Sequence, residues 1–202
     1  MANLKACSEA PNGDIITPQG RMSYAFQAFK GQENDKGDLR YTLSMLFPPD
    51  ADLKALKLKM LAIAKEKTGD DAKAKAEVKK RFLDPVEKGN DAELFDGWTL
   101  LRVSSPSKPG FIFANGKECP SDDYDQEVYS GRWARISVAP YWFDVGKNKG
   151  VTCGLQNVQL LSHDEPIGGA KPRAGDQFEA VAEEGGNVDS ADDLFDDDDG
   201  DL

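Results

Sequence analysis

Six segments of this chain alternate side-chain character with a period of two, and one stretch between them changes to a spacing of three and four. YAFQAF (24–29), RYTLSMLF (40–47), WTLLRVSS (98–105), GFIFAN (110–115), RWARISVAPYWFD (132–144) and GVTCGLQNVQLLS (150–162) read as strands. In extended backbone, successive side chains point to opposite faces of a sheet. Tyr41, Leu43, Met45 and Phe47 therefore share one face of their strand. The polar, glycine-bearing KGQENDKGD (30–38) has the composition of a long hairpin loop.

Pro48-Pro49 stops the second strand, and Asp50 or Asp52 can cap a helix. Leu53, Leu56, Met60 and Ile63 then recur at helical spacing to about Lys67, with Gly69 as a fitting C-cap. A second, Ala/Lys-rich helix is expected from about Asp71 to Phe82, before Asp84-Pro85. Residues 54–81 carry ten Lys/Arg against four Asp/Glu, and a solvated helical face is the plain explanation. Residues 1–20 are rich in turn formers and read as a flexible lead-in. Residues 84–97 and the acidic SDDYDQE (121–127) read as loops. Short strands around one helical insertion (about 51–83) predict an all-β domain over 21–173, with an oligonucleotide/oligosaccharide-binding (OB) barrel of five or six strands as the candidate, which periodicity alone does not distinguish from a sandwich.

The charge is divided unevenly. Of 36 acidic residues, 12 lie in 174–202 with no basic one beside them, leaving 24 acids against all 25 Lys and Arg in 1–173. The body is thus near neutral at +1, although the whole chain is −11. An acidic isoelectric point of the chain says nothing against nucleic acid as a partner, because charge acts locally. The end, DSADDLFDDDDGDL (189–202), holds too much like charge and too little apolar surface to offset its ordering entropy, so a disordered tail is expected. Leu194 and Phe195, followed by Asp196, Asp197, Asp198 and Asp199, form an apolar hook in an acidic run that suits partner binding.

No apolar run is long enough for a membrane helix, and the first residues lack the pattern of a secretory signal. Three widely spaced cysteines fit a reducing compartment, so a cytoplasmic location is expected. With one His and no CxxC pair, neither a metal site nor a cofactor is expected. No nucleophile–base arrangement or phosphate-binding loop is present, so no catalytic residue is assigned and the chain reads as a non-enzyme. The carboxylates of 84–96 match no calcium-loop spacing.

Cations interleave with aromatic residues on several strands. Arg135, Ser137, Ala139, Tyr141 and Phe143 share one face of their strand, and the apolar Ala134, Ile136, Val138, Pro140 and Trp142 share the other. A groove for unpaired bases needs such a mixture: charge for phosphate and flat π-faces for stacking. Arg40, Arg102, Arg132, Arg135, Lys147 and Lys149 are the candidate phosphate ligands. Tyr41, Trp98, Tyr141 and Phe143 are the candidate stacking residues.

The run VYSGRWARISVAPYWFD (128–144), then GVTCGLQNVQLLSHDEPIGG (150–169) and the Asp-rich end, resembles a family of phage-encoded single-stranded-DNA-binding proteins. The matching positions are Tyr129, Gly131, Arg132, Arg135, Tyr141, Gly154, Leu155, Asn157 and Val158. The resemblance implies an OB fold and sequence-independent coating of single-stranded DNA in phage replication and recombination. It also implies an acidic tail that contacts replication proteins such as a polymerase or helicase. Such proteins often end in an aromatic residue, whereas this chain ends in Leu202. Self-association stays open. The alternative function is a protein-interaction module or nucleic-acid mimic that acts through the acidic end.

Overall fold

The computed structural model describes residues 3–33 and 37–168. The acidic end, including Leu194, Phe195 and the aspartates from 196 to 199, lies outside the described residues. Among those described, no helix is long and apolar enough to cross a membrane.

The chain is mostly sheet with a few helices. It opens with β1 (Ser8–Glu9), β2 (Ile15–Ile16) and β3 (Gly20–Ser23), then a single helical turn, α1 (Gln27–Lys30). β4 (Gln32–Glu33) and β5 (Leu39–Phe47) precede the helical pair α2 (Lys54–Thr68) and α3 (Asp71–Lys79). After β6 (Phe82–Leu83) and α4 (Ala92–Phe95) come β7 (Thr99–Ser105) and β8 (Gly110–Phe113). A last turn of helix, α5 (Tyr124–Glu127), leads into the two long strands β9 (Trp133–Val145) and β10 (Asn148–Leu160). β9 pairs with β3, β3 with β5, β5 with β7, β7 with β10 through Gly154 and Ser104, and β10 with β9, so the pairings form a circuit.

The inward residues are those the alternation selects. Leu43, Met45 and Phe47 of β5, Leu101 and Val103 of β7, and Ala134, Ile136 and Val138 of β9 meet in one core. Leu56, Met60 and Ala64 of α2 and Ala74 and Val78 of α3 close it from one side. In β10 the inward set is Val151, Cys153 and Leu155, then Val158 and Leu160, because the register shifts between Leu155 and Asn157. One extra residue in a strand reverses its facing and bends it. β10 can therefore pair with β7 before the bulge and with β8 after it.

Four local expectations are corrected. Residues 24–29 are not a strand: β3 ends at Ser23 and a helical turn follows, with Ala25, Ala28 and Phe29 buried. Six residues are too few to separate a period of two from one of three and four. The lead-in is built into the sheet, since β1 pairs with β2, β2 pairs with β9, and Ile15 and Thr17 are buried. Asn12-Gly13 makes a tight reversal there, with Gly13 N–H donating to the Ala10 carbonyl at 2.9 Å. The stretch 84–97 contains short helical turns and a fully buried Phe95. Its carboxylates cap those turns, Asp84 accepting from Val86 N–H at 2.8 Å and Asp91 from Glu93 N–H at 2.9 Å. The acidic loop at 121–127 also turns helical, through a short turn at Ser121–Asp123 and α5.

Two glycines are required by geometry. Gly131 has φ +109, and a Cβ there would strike Glu165 O and lie 2.9 Å from Ile167 N. Gly146, at φ +61, opens the two-residue turn between β9 and β10, where Val145 pairs with Asn148.

Candidate nucleic-acid interface

The outer faces of β5, β7, β10 and β9 lie side by side. Thr42 and Ser44 of β5 stand opposite Ser104 and Arg102 of β7. Ser104 stands beside Gly154 of β10, and Thr152 of β10 beside Tyr141 of β9. The Tyr141 ring rests over the bare glycine, its Cε1 3.6 Å from where a Gly154 Cβ would be. Tyr24, Gln27, Thr42, Ser44, Arg81 and Arg102 border a cleft of about 480 Å³ on this surface, which Thr152 also lines. Thr42 Oγ1 donates to Gln27 Oε1 at 2.6 Å, which ties α1 to β5 along one wall.

The sequence-derived candidates divide into those on this surface and those elsewhere. Arg102 lies in the cleft and is exposed; Arg40 is exposed on the same face of β5, two residues from Thr42. Tyr141 is 42% exposed. Phe143 is half-buried beneath Arg81, whose guanidinium carbon sits 5.3 Å from the ring centroid. Lys147 and Lys149 are exposed at the β9–β10 turn, with Lys149 Nζ 3.4 Å from Asp144. Arg135 shares the outer face but is six residues from Tyr141 along β9, about 20 Å at strand rise. Its Nε donates to Gln159 Oε1 at 2.6 Å.

Three candidates do not belong to this surface. Arg132 is only 4% exposed; it donates to the Leu161 carbonyl at 3.0 and 3.2 Å and pairs with Glu127. Its charge joins α5 to the end of β10, so it is not a phosphate ligand. Trp98 precedes β7 and packs edge-on against Phe95 at 5.2 Å, with Trp133 6.0 Å away. Its ring closes the small second core around Leu46 and Leu100. Tyr41 occupies the core-side face of β5, where its ring lies 3.1 Å from a Cβ placed on Gly31. The other carried-over positions also support the fold: the Asn157 side chain accepts from Gly110 N–H at 3.2 Å, and Tyr129 OH donates to the Asp164 carbonyl at 3.1 Å.

Two residues of the cleft escaped the sequence reading. Arg81 sits just past α3 in a run of lysines that reads as a solvated face. Its Nε–H is buried and has no hydrogen-bond acceptor among the described residues. Tyr24 opens a segment whose alternation reads as a strand. The available signal for Arg81 was its place as the only arginine among ten basic residues. Arginine is favoured where a planar donor stacks on an aromatic ring.

The arrangement offers guanidinium groups for anions, hydroxyls for hydrogen bonding and exposed rings for stacking. A family model described as Enterobacter phage Enc34, ssDNA-binding protein, matches residues 13–193. The chain belongs to this family. Solved structures of phage single-stranded-DNA-binding proteins share its fold at low sequence identity. The single-stranded-DNA-binding protein of bacteriophage Enc34 in complex with ssDNA superposes with TM-score 0.69 at 19% identity, covering 83% of this chain and 97% of that one. A second structure of that phage protein gives TM-score 0.63 at 20% identity, covering 89% and 97%. The single-stranded-DNA-binding protein gp2.5 encoded by bacteriophage T7 gives TM-score 0.50 at 18% identity, covering 87% and 97%. No curated protein sequence matches the chain.

Proposed function

We propose that this chain is a non-enzymatic, sequence-independent single-stranded-DNA-binding protein, built on a closed barrel of OB type, that coats DNA during phage replication or recombination. The observation that carries the proposal is the cleft in which Arg81 and Arg102 stand beside exposed Tyr24, next to Tyr141. Phosphates would meet the guanidinium groups while unpaired bases stack on the rings, a division that needs no base-specific contact. Family membership and the circuit of strand pairings support the same reading. Arg40, Lys147 and Lys149 would extend the phosphate track at its ends.

The acidic end is proposed, on its sequence alone, to compete with DNA and to recruit replication proteins in the host cytoplasm. The test is fluorescence anisotropy of labelled oligo(dT) with the full chain and with residues 174–202 removed. Binding in the low-micromolar range or tighter, falling with added salt, is the expected result. Truncation should tighten it, mostly at low salt. Absence of binding by either form at low salt would defeat the proposal and favour the nucleic-acid mimic.

A further inference from the structure

Strand β3 gives way to Tyr24, whose φ of 54 lies in the left-handed region that a bulky side chain rarely adopts. Its neighbours hold it there. Ala25 N–H donates to Ser130 Oγ at 3.2 Å, and Gln27 N–H donates to the Tyr24 carbonyl at 3.1 Å. Behind them Ala25, Ala28 and Phe29 are buried in the main core. The same turn leaves Tyr24 53% and Phe26 51% exposed. Burying alanines while exposing two aromatic rings inverts the ordinary preference. Strain that coincides with such an inversion marks a built surface.

Tyr24 lines two clefts at once. One is the cleft of Arg81 and Arg102. The other, of about 760 Å³, is bordered by Tyr24, Phe26, Asn90, Leu94, Ser130 and Ile167, with Leu94 55% exposed. Among the described residues no Lys or Arg lines the second cleft, and Asp91 is the one charged wall residue. Such a wall disfavours phosphate but not an uncharged base, which gains from flat apolar rings and small polar groups.

We infer that Tyr24 and Phe26 form a second base-stacking platform, which carries a single strand from the arginine-lined cleft over Tyr24 into the Leu94 cleft. Phosphates stay on the arginine side and bases enter the side walled by Phe26, Leu94 and Asp91. This extension rests on the single-stranded-DNA binding proposed for the first cleft.

The test is anisotropy titration of the full chain with oligo(dT) of several lengths and at several salt concentrations. Tyr24→Ala and Phe26→Ala should each weaken binding at least about fivefold, the lower end of base–aromatic stacking. The slope of log affinity against log salt should stay unchanged, because no phosphate contact is lost. The double variant should also reach its full affinity on a shorter oligonucleotide than the parent. Tyr24→Phe should keep parental affinity. Should Tyr24→Ala fold poorly, Tyr24→Asn suits the left-handed backbone and Phe26→Leu keeps the apolar contact without the flat ring; both should bind as weakly as the alanine variants. Parental affinity in the double variant, with Arg102→Ala weakened, would overturn the platform and leave the first cleft standing. Loss of self-association by light scattering with unchanged affinity would overturn it too, by making the patch a contact between copies. No binding by the parent chain would remove both readings together.

Discussion

Arg81 holds its guanidinium carbon 5.3 Å from the centroid of the Phe143 ring, joining the segment between α3 and β6 to the end of β9. The flat cation thereby stands on the outer strand surface beside Arg102, although it follows Lys79 and Lys80 in sequence. Replacing either Arg81 or Arg102 by Ala should lower the salt dependence of single-strand binding by about 0.7 in the log–log slope, the contribution of one phosphate contact. Titrations from low to moderate salt would read it, and unchanged slopes would remove both arginines from the track.

Arg132→Ala should behave differently. It leaves the Glu127 carboxylate and the Leu161 carbonyl without their donor inside a nearly closed site. Loss of one partner of such a pair costs about 3–5 kcal/mol, to be read from urea unfolding. In variant protein kept folded, the salt slope of binding should equal the parent's.

Burial pushes the Cys153 thiol up to about 12. The unfolded thiol releases its proton near the ordinary value of 9.0. The folded form thus holds the proton more tightly, and this contribution to stability is complete below that value. It is lost as pH rises from about 9 to about 12, so the denaturant midpoint should fall across that window. At pH 8 a thiol reagent should label Cys153 only on unfolding, and rapid labelling of the native protein would contradict its burial.

Asp164 is held below the ordinary carboxylate value, first by the Glu165 backbone N–H, then by the Trp133 indole and the Arg21 charge. The indole Nε1–H donates to Asp164 Oδ2 at 2.8 Å. A lowered carboxyl pKa stabilises the fold above the unfolded value and ceases to do so as pH falls through the folded one. Stability should therefore decline in acid below about 3.8, with a change in Trp133 emission. Asp164→Asn should flatten that acid limb, and an unaltered limb would assign it to other carboxylates.

Much of the architecture was legible in the residue order. Period-two segments placed β5, β7, β8, β9 and β10, and helical spacing placed α2 and α3, because each periodicity follows from local backbone geometry. The division of β9 into an apolar face and an Arg–Tyr–Phe face was also readable, since a face is a property of one strand. What a side chain meets on its face is not. Arg132 and Arg135 are three residues apart, yet the first is closed in by Glu127 and Leu161 while the second borders Gln159. Trp98 and Tyr141 are both aromatic residues at strand positions or edges, yet Phe95 and Trp133 enclose one and bare Gly154 supports the other.

Charge segregation, strand and helix periods and the outward face of β9 were determined by the sequence itself, through interactions within a few residues. Tertiary structure alone decided which cations became internal ties and which faced the cleft. It also brought Arg81 and Tyr24 onto one surface with Arg102. The physical reason is that burial and pairing are set by groups tens of residues away, whose approach depends on strand register, on the bulge in β10 and on the strained turn at Tyr24.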